Sequence, residues 1–257
     1  MGDYLESRFI EEEKNKIKDI PIIRFYPKAT LGLYPTIILY HGWSSSKESQ
    51  RMRGFILSSL GYQVIIPDAI NHGERGTVDY TNPEVAMEYF WPTILKNLGE
   101  AKDILDYAID NYSANPNRLG VIGNSMGGFT SAGIFAHNPN IKAAVIFNGS
   151  CNWEHSNLIF KEVLEIEDDS SLEEMEVEIN SMDPINNLDA IVNRPVLMLH
   201  GDADTLVNIE SQRLFYNKVK PLYNDSNKIK LIEYNNLNHF VTTNMMEEAA
   251  IWFGKYL

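Results

Sequence analysis

Gly123-Asn124-Ser125-Met126-Gly127 is the stretch on which the fold of this chain turns. The preceding Arg118-Leu119-Gly120-Val121-Ile122 reads as a short buried strand, and the following GFTSAGIFAH, Gly128 to His137, as a helix of small and apolar residues. A serine at a strand-to-helix corner, with glycine two positions away on each side, is the nucleophile-elbow pattern. So sharp a corner strains the serine backbone and brings neighbouring chain close enough to collide with a side chain at either flanking position; glycine has none. The hydroxyl is left clear of the sheet, above the first amides of the next helix. The bare GxSxG pattern is weak, because both residue types are common. Strand before and helix after make it strong.

Outward from the elbow, short unbroken apolar runs recur. Thr36–Tyr40, Gln63–Pro67, Ile141–Phe147 and Pro195–Leu199 read as strands covered on both faces, and Lys228–Tyr234 as one more. Helices are expected between them. One starts at a Ser45-Ser46-Lys47-Glu48 capping box and runs to Leu60, with Gly61 closing it. Asn82-Pro83 caps another, and from Thr93 a long helix carries Ile94, Leu98, Ala101, Leu105, Ala108 and Tyr112 on one stripe, stopped by Asn115-Pro116-Asn117. Two more are expected at Glu210–Lys220 and from Thr243. Tyr4–Glu11 and Ile17–Tyr26 suggest an antiparallel hairpin at a sheet edge, where Pro21 is tolerated. Strands alternating with helices give an α/β fold, a mostly parallel central sheet with helices on both faces. The rhythm breaks between Asn152 and Ala190, too polar for a core and too patterned for a linker. Residues 152–190 are therefore read as a small helical cap within one domain of residues 1–257.

Composition narrows the partners. The 257 residues suffice for a substantial core, and a formal charge of −13 argues against nucleic acid and anionic membranes alike. The single cysteine, Cys151, excludes an internal disulfide framework and suits a reducing cytoplasm. The charged N-terminus shows no signal peptide, and no apolar run is long enough to span a bilayer. A cytoplasmic protein acting on a small molecule is the expectation; whether it forms a homo-oligomer is left open.

In such sheets the site lies at the carboxyl ends of the strands, where His41, Asp68, Ser125, Asn148 and Asp204 all fall. A serine needs a positioned base, and the base an orienting acid. Past Ser125 the acid candidates at a strand end are Asp202 and Asp204. Of the six histidines, His239 alone lies in the loop between the last strand and the last helix, the position of the base when the order is serine, acid, histidine. His41, His72 and His200 each precede a glycine and read as loop-holding residues; His137 sits at a helix end. The oxyanion donors are the backbone N–H of Met126 and, from the loop after Tyr40, that of Trp43.

Taken together, His41-Gly42-Trp43, Asn71-His72-Gly73-Glu74-Arg75, Gly123 to Gly128 and His200-Gly201-Asp202-Ala203-Asp204-Thr205-Leu206-Val207 resemble the α/β-hydrolase superfamily. The similarity runs from Tyr34 to Leu257, on the branch of prolyl-oligopeptidase-like and dienelactone-hydrolase-like enzymes that includes small bacterial YitV-like esterases. That resemblance implies an α/β-hydrolase fold and a serine esterase working through an acyl-enzyme. In the family's HGxxDxxV pattern the second aspartate is the acid, which selects Asp204. The resemblance thus implies Ser125 as nucleophile, Asp204 as acid, His239 as base, and Trp43 and Met126 as oxyanion donors. The first thirty residues carry no family signal, and the cap is the part from which least carries over, so the resemblance does not extend to substrate choice.

Trp153, Trp91 and His155 are candidates for a substrate pocket. From Ser150 to Ala190 there are twelve acidic residues against one basic, Lys161, which reads as a solvated face or as a negative mouth favouring neutral or cationic substrates. Glu74 and Arg75 read as a pair bracing their loop. Cys151 lies near the site floor without an elbow and reads as a small buried residue. There is no HExxH, no paired CxxC and no phosphate-cradling glycine loop, so neither metal nor cofactor is expected. The rival readings are a peptidase or an acyl transferase on the same triad, and, against the intact set of residues, a non-catalytic binding module.

Overall fold

A computed structural model of the chain describes residues 7–29, 32–164 and 170–257. Eight strands form one sheet in the order β1-β2-β4-β3-β5-β6-β7-β8. β3 (Tyr34–Tyr40), β4 (Gln63–Pro67), β5 (Ala114–Asn124), β6 (Ile141–Phe147), β7 (Val196–Gly201) and β8 (Ile229–Tyr234) run parallel. β1 (Ile10–Ile17) and β2 (Ile20–Pro27) add an antiparallel hairpin beyond β4.

The unbroken apolar runs are explained by two buried faces. In β6, Ala144 and Ile146 pack with α2 (Pro83–Asn111), α3 (Met126–His137) and α6 (Glu210–Val219). Their neighbours Ala143, Val145 and Phe147 pack on the other face, with α1 (Arg51–Ser59) and α7 (Thr243–Tyr256). Period-two alternation therefore sends apolar residues to both faces, and from Ala143 to Phe147 it leaves no polar position. No helix among the described residues is long and apolar enough to cross a membrane.

Four local expectations are corrected. The hairpin turns at Lys18-Asp19, with Lys18 at φ 55°, so its first strand lies later than Tyr4–Glu11, of which residues 4–6 fall outside the described residues. Pro21 is not on the edge: β2 pairs with both β1 and β4, and the proline sits at the start of its strand, its carbonyl accepting the Asp68 N–H at 3.0 Å. The Ser46 capping box does not form. Ser46 makes no side-chain cap, Lys47–Gln50 is a 3-10 turn, and the Lys47 N–H goes instead to Asp68 Oδ1 at 2.8 Å. Finally, α2 is one helix from Pro83 straight through Pro92, capped by Asn82 accepting from the Glu84 N–H at 2.9 Å, and β5 begins before Asn115.

Between β6 and β7 the chain forms α4 (Trp153–Val163), α5 (Ser170–Met182) and 3-10 turns at Pro184–Asn186 and Leu188–Ala190.

Candidate active site

Ser125 sits between β5 and α3 at φ 57°, ψ −125°, a conformation that costs about 1–3 kcal/mol and persists only where the surroundings impose it. The flanking glycines show what imposes it. A Cβ on Gly123 would stand 2.0 Å from the Gly127 carbonyl oxygen, and one on Gly127 2.2 Å from that of Tyr40. The loop after β3 also passes close, though less tightly, for a Cβ on Gly42 would lie 3.3 Å from Ser125 Cβ. Among the described residues the N–H groups of Met126 and Trp43 have no hydrogen-bond partner. Met126 is the first residue of α3, whose leading amides have no intrahelical acceptor.

The two acid candidates separate cleanly. Asp202 Oδ1 accepts the Asn236 N–H at 2.6 Å and pins the loop after β8. The Asp204 side chain is fully buried, with Oδ2 2.7 Å from His239 Nδ1 and 3.1 Å from His200 Nε2. Its Oδ1 accepts the N–H groups of Leu206 and Val207, both at 2.9 Å. Burial alone would raise this carboxyl's pKa, but the hydrogen bonds from His200, His239 and Val207 outweigh it and hold the group well below the usual carboxylate range. His239 and Ser125 open into the same cleft, and no hydrogen bond joins their side chains.

Three residues that sequence reasoning treated as scaffold or passed over hold this edge together. Asn148, at φ 42° after β6, donates from Nδ2 to Asn124 Oδ1 at 3.3 Å and to the Phe240 carbonyl at 3.1 Å. Its Oδ1 accepts the Gly201 N–H at 3.2 Å, so one side chain ties the elbow, the end of β7 and the His239 loop. His200, read as holding its own loop, also reaches Asp204. Its Nε2 lies 2.9 Å from the Val207 carbonyl, which fixes the proton on that nitrogen. Asn238 Oδ1 accepts from Thr205, joining the loops of Asp204 and His239. The signal for Asn148 and His200 was their position at strand ends; Asn238 carried none, and the partners of all three were not visible.

His41 braces the loop bearing Trp43. Its Nε2 accepts the Ala69 N–H at 3.0 Å and its Nδ1 faces the Gly42 carbonyl at 2.8 Å. Burial pushes its pKa down to about 4. Below it, buried Lys47 lies 2.6 Å from both Asp68 and Glu74, and Arg75 pairs with Glu100 at 2.7 Å. Glu74 and Arg75 therefore brace the loop through different partners, not each other.

Over Ser125 and His239 lies a cleft of about 700 Å³. Its walls come from the loop after β3, the start of α2, the end of α4 and residues 205–207. Of the three pocket candidates, Trp91 lines it, with its indole N–H on Asn157 Oδ1 at 2.8 Å. Trp153 does not. It is fully buried behind Trp91, its indole N–H on the Ser150 carbonyl and its ring against Gly133. His155 is turned from the cleft lining as well, with Nδ1 2.9 Å from Ser211 Oγ. Phe90, one of the aromatics the sequence offered for a pocket, forms the aromatic wall with Phe160, which sequence reasoning passed over. From residues 152–190 only Phe160, Val163 and Leu164 reach the lining among the described residues, and none of the described acids of that stretch does; Glu165, Glu167, Asp168 and Asp169 lie outside the described residues. Cys151 is buried, and burial pushes its thiol pKa far up.

Residues 96–256, holding the elbow, Asp204 and His239, match the model of the prolyl oligopeptidase family. The chain belongs to that family. It is thereby a serine hydrolase by descent, and two relatives match it end to end. YitV of Bacillus subtilis is 26% identical over 260 residues, covering 96% of this chain and 100% of its own length. Esterase YjfP of Escherichia coli is 25% identical over 256 residues, with the same coverage of both. Among solved structures, TT1662 from Thermus thermophilus superposes with a TM-score of 0.79 at 18% identity, covering 96% of this family member and 97% of that chain. The match extends the fold to β1 and β2, which lie outside the family model.

Proposed function

We propose that this protein is an esterase, hydrolysing small carboxylic esters through an acyl-serine. The observation that carries the reading is the buried Asp204 carboxylate 2.7 Å from His239 Nδ1, at a cleft that also contains Ser125 on its strained corner. With Nδ1–H donated to Asp204, His239 Nε2 is free to act as base. It takes the Ser125 proton as Oγ attacks the ester carbonyl. The tetrahedral oxyanion is met by the N–H groups of Trp43 and Met126, which have no competing partner among the described residues. The ester C–O bond then breaks, and the alcohol leaves with the proton from His239. Water attacks the acyl-serine, gives its proton to His239, and the acid departs as Ser125 recovers its hydrogen. Asp204 stays ionised throughout, consistent with its depressed pKa. Trp91, Phe90 and Phe160 offer an apolar wall for the acyl or alcohol group. Residues 152–190 serve as the cap of a single 1–257 domain, contributing the outer wall through α4.

Esterase relatives of matching length support esters over peptides. The test pairs p-nitrophenyl butyrate with aminoacyl-naphthylamides, and a fluorophosphonate probe with intact protein and Ser125→Ala. Ester turnover and labelling that both vanish in Ser125→Ala are expected. Turnover of the amides alone would make it a peptidase, and absence of labelling on Ser125 would remove the hydrolase mechanism.

A further inference from the structure

The cleft contains a charge that acyl transfer does not use. Its described lining includes no aspartate, glutamate or lysine, and its one permanent cation is Arg53 on α1. In this chain of net charge −13 four other arginines find acids, Arg24 with Glu13, Arg51 with Glu12, Arg75 with Glu100 and Arg213 with Glu233, while Arg194 fills its donors with the carbonyls of Phe135, Ala190, Asn138 and Ile141. Arg53 has no carboxylate partner among the described residues. Among the described residues its one hydrogen bond runs from Nη1 to Gln50 Oε1 at 2.5 Å. Gln50 is itself buried and donates to Ser45 Oγ at 3.2 Å, so the guanidinium is held in place by the loop that carries Trp43.

A guanidinium has five N–H donors in a planar fork, and most of those of Arg53 are unused by the described residues. Burial disfavours its charged form, and no acid among the described residues offsets that. An arginine stays protonated regardless, so the arrangement carries a cost that an incoming anion would relieve. The wall opposite is apolar, built by Phe90, Phe160, Val163 and Leu164, and a low-polarity surround strengthens a charge pair. A planar fork of donors matches a carboxylate in both charge and shape.

We propose that Arg53 receives a carboxylate of the substrate, so that the cleft selects esters carrying a free carboxylate over neutral esters. This rests on the esterase reading of Ser125 and His239 and names its substrate class. The carboxylate can belong to the acyl or to the alcohol part, and two substrate pairs separate these sources. Mono-p-nitrophenyl glutarate against p-nitrophenyl hexanoate places it on the acyl side. 4-Acetoxybenzoate against its methyl ester places it on the alcohol side. The readout is the charged-to-neutral ratio of kcat/KM within each variant, so a general loss of activity cancels. In at least one pair the ratio should fall about 10- to 100-fold in Arg53→Gln, the range of a hydrogen bond to a charged group. Arg53→Lys, which keeps the charge and loses the fork, should retain part of it. Ratios unchanged by Arg53→Gln in both pairs would overturn the proposal.

Binding reads the same contact without turnover. Monomethyl glutarate, followed by calorimetry, should bind about tenfold more weakly to Arg53→Gln, and equal binding to both proteins counts against the proposal. Arg53-dependent binding without ester turnover or fluorophosphonate labelling would instead refute the esterase reading and leave the carboxylate site standing.

Discussion

Asp204→Asn separates two accounts of what the buried acid does. Oδ1 faces two backbone N–H groups, those of Leu206 and Val207 at 2.9 Å, which can only donate. The amide oxygen of an asparagine must therefore take that place, which puts its NH2 where Oδ2 was. There it confronts His239 Nδ1 at 2.7 Å and His200 Nε2 at 3.1 Å. His200 must keep its Nε2 proton for the Val207 carbonyl, so His239 is the ring that yields. It shifts its proton to Nε2 and presents Ser125 with a donor where a base is required. If Asp204 merely contributed one charge-assisted hydrogen bond, its loss would cost about 1.5–3 kcal/mol, roughly 10- to 150-fold. Inverting the tautomer costs about 10⁴-fold, roughly 5 kcal/mol on the barrier. The larger figure is expected in kcat for p-nitrophenyl butyrate, with KM little changed. A loss smaller than about 100-fold would refute the tautomer argument. Stability supplies a second reading. An unfolded aspartate titrates near 3.9 and the folded carboxyl lies below that, so its stabilisation is complete above about pH 4 and is lost as pH falls toward the folded pKa. The stability gap between wild type and Asp204→Asn should accordingly narrow below pH 4.

Two further predictions concern the frame. Gly127→Ala puts a methyl 2.2 Å from the Tyr40 backbone oxygen, which cannot rotate away, and should destabilise by about 1–3 kcal/mol in urea unfolding; an unchanged midpoint contradicts the close-approach reading. His41, pushed down to about 4 by burial against about 6.5 when unfolded, gives stability that is full above pH 6.5 and drains as pH falls through 4. Stability at pH 7, 5.5 and 4.5 should decline less steeply in His41→Asn than in wild type, and parallel slopes would count against a neutral buried ring.

What the sequence made legible were features whose cause is local or periodic. The glycines at 123 and 127 announce a corner that no side chain fits, and the runs at 141–147 and 196–199 announce strands with two covered faces. What it concealed were choices settled by distant partners. Ser45-Ser46-Lys47-Glu48 has the form of a capping box, yet Asp68 claims the Lys47 N–H and ammonium, and no local pattern announces that. Trp153 and Trp91 look alike in sequence, and one is pressed against Gly133 while the other reaches the cleft. Arg53 drew no reading from the sequence, because only the fold shows that no described acid lies beside it, and Asp202 and Asp204 differ only in which loop they meet.

Asn148 gives the rim of the sheet one further property. Because a single carboxamide spans the serine corner, the end of β7 and the histidine loop, these parts are indexed to one another and not to the helices above them. The reacting atoms thus ride on a fixed chassis, while much of the surface that meets the rest of a ligand belongs to α1, α2 and α4, beside the loop after β3 and residues 205–207. Changing residues 53, 86–90 or 160–164 alters what the enzyme accepts and leaves the alignment of its reactive groups where it was.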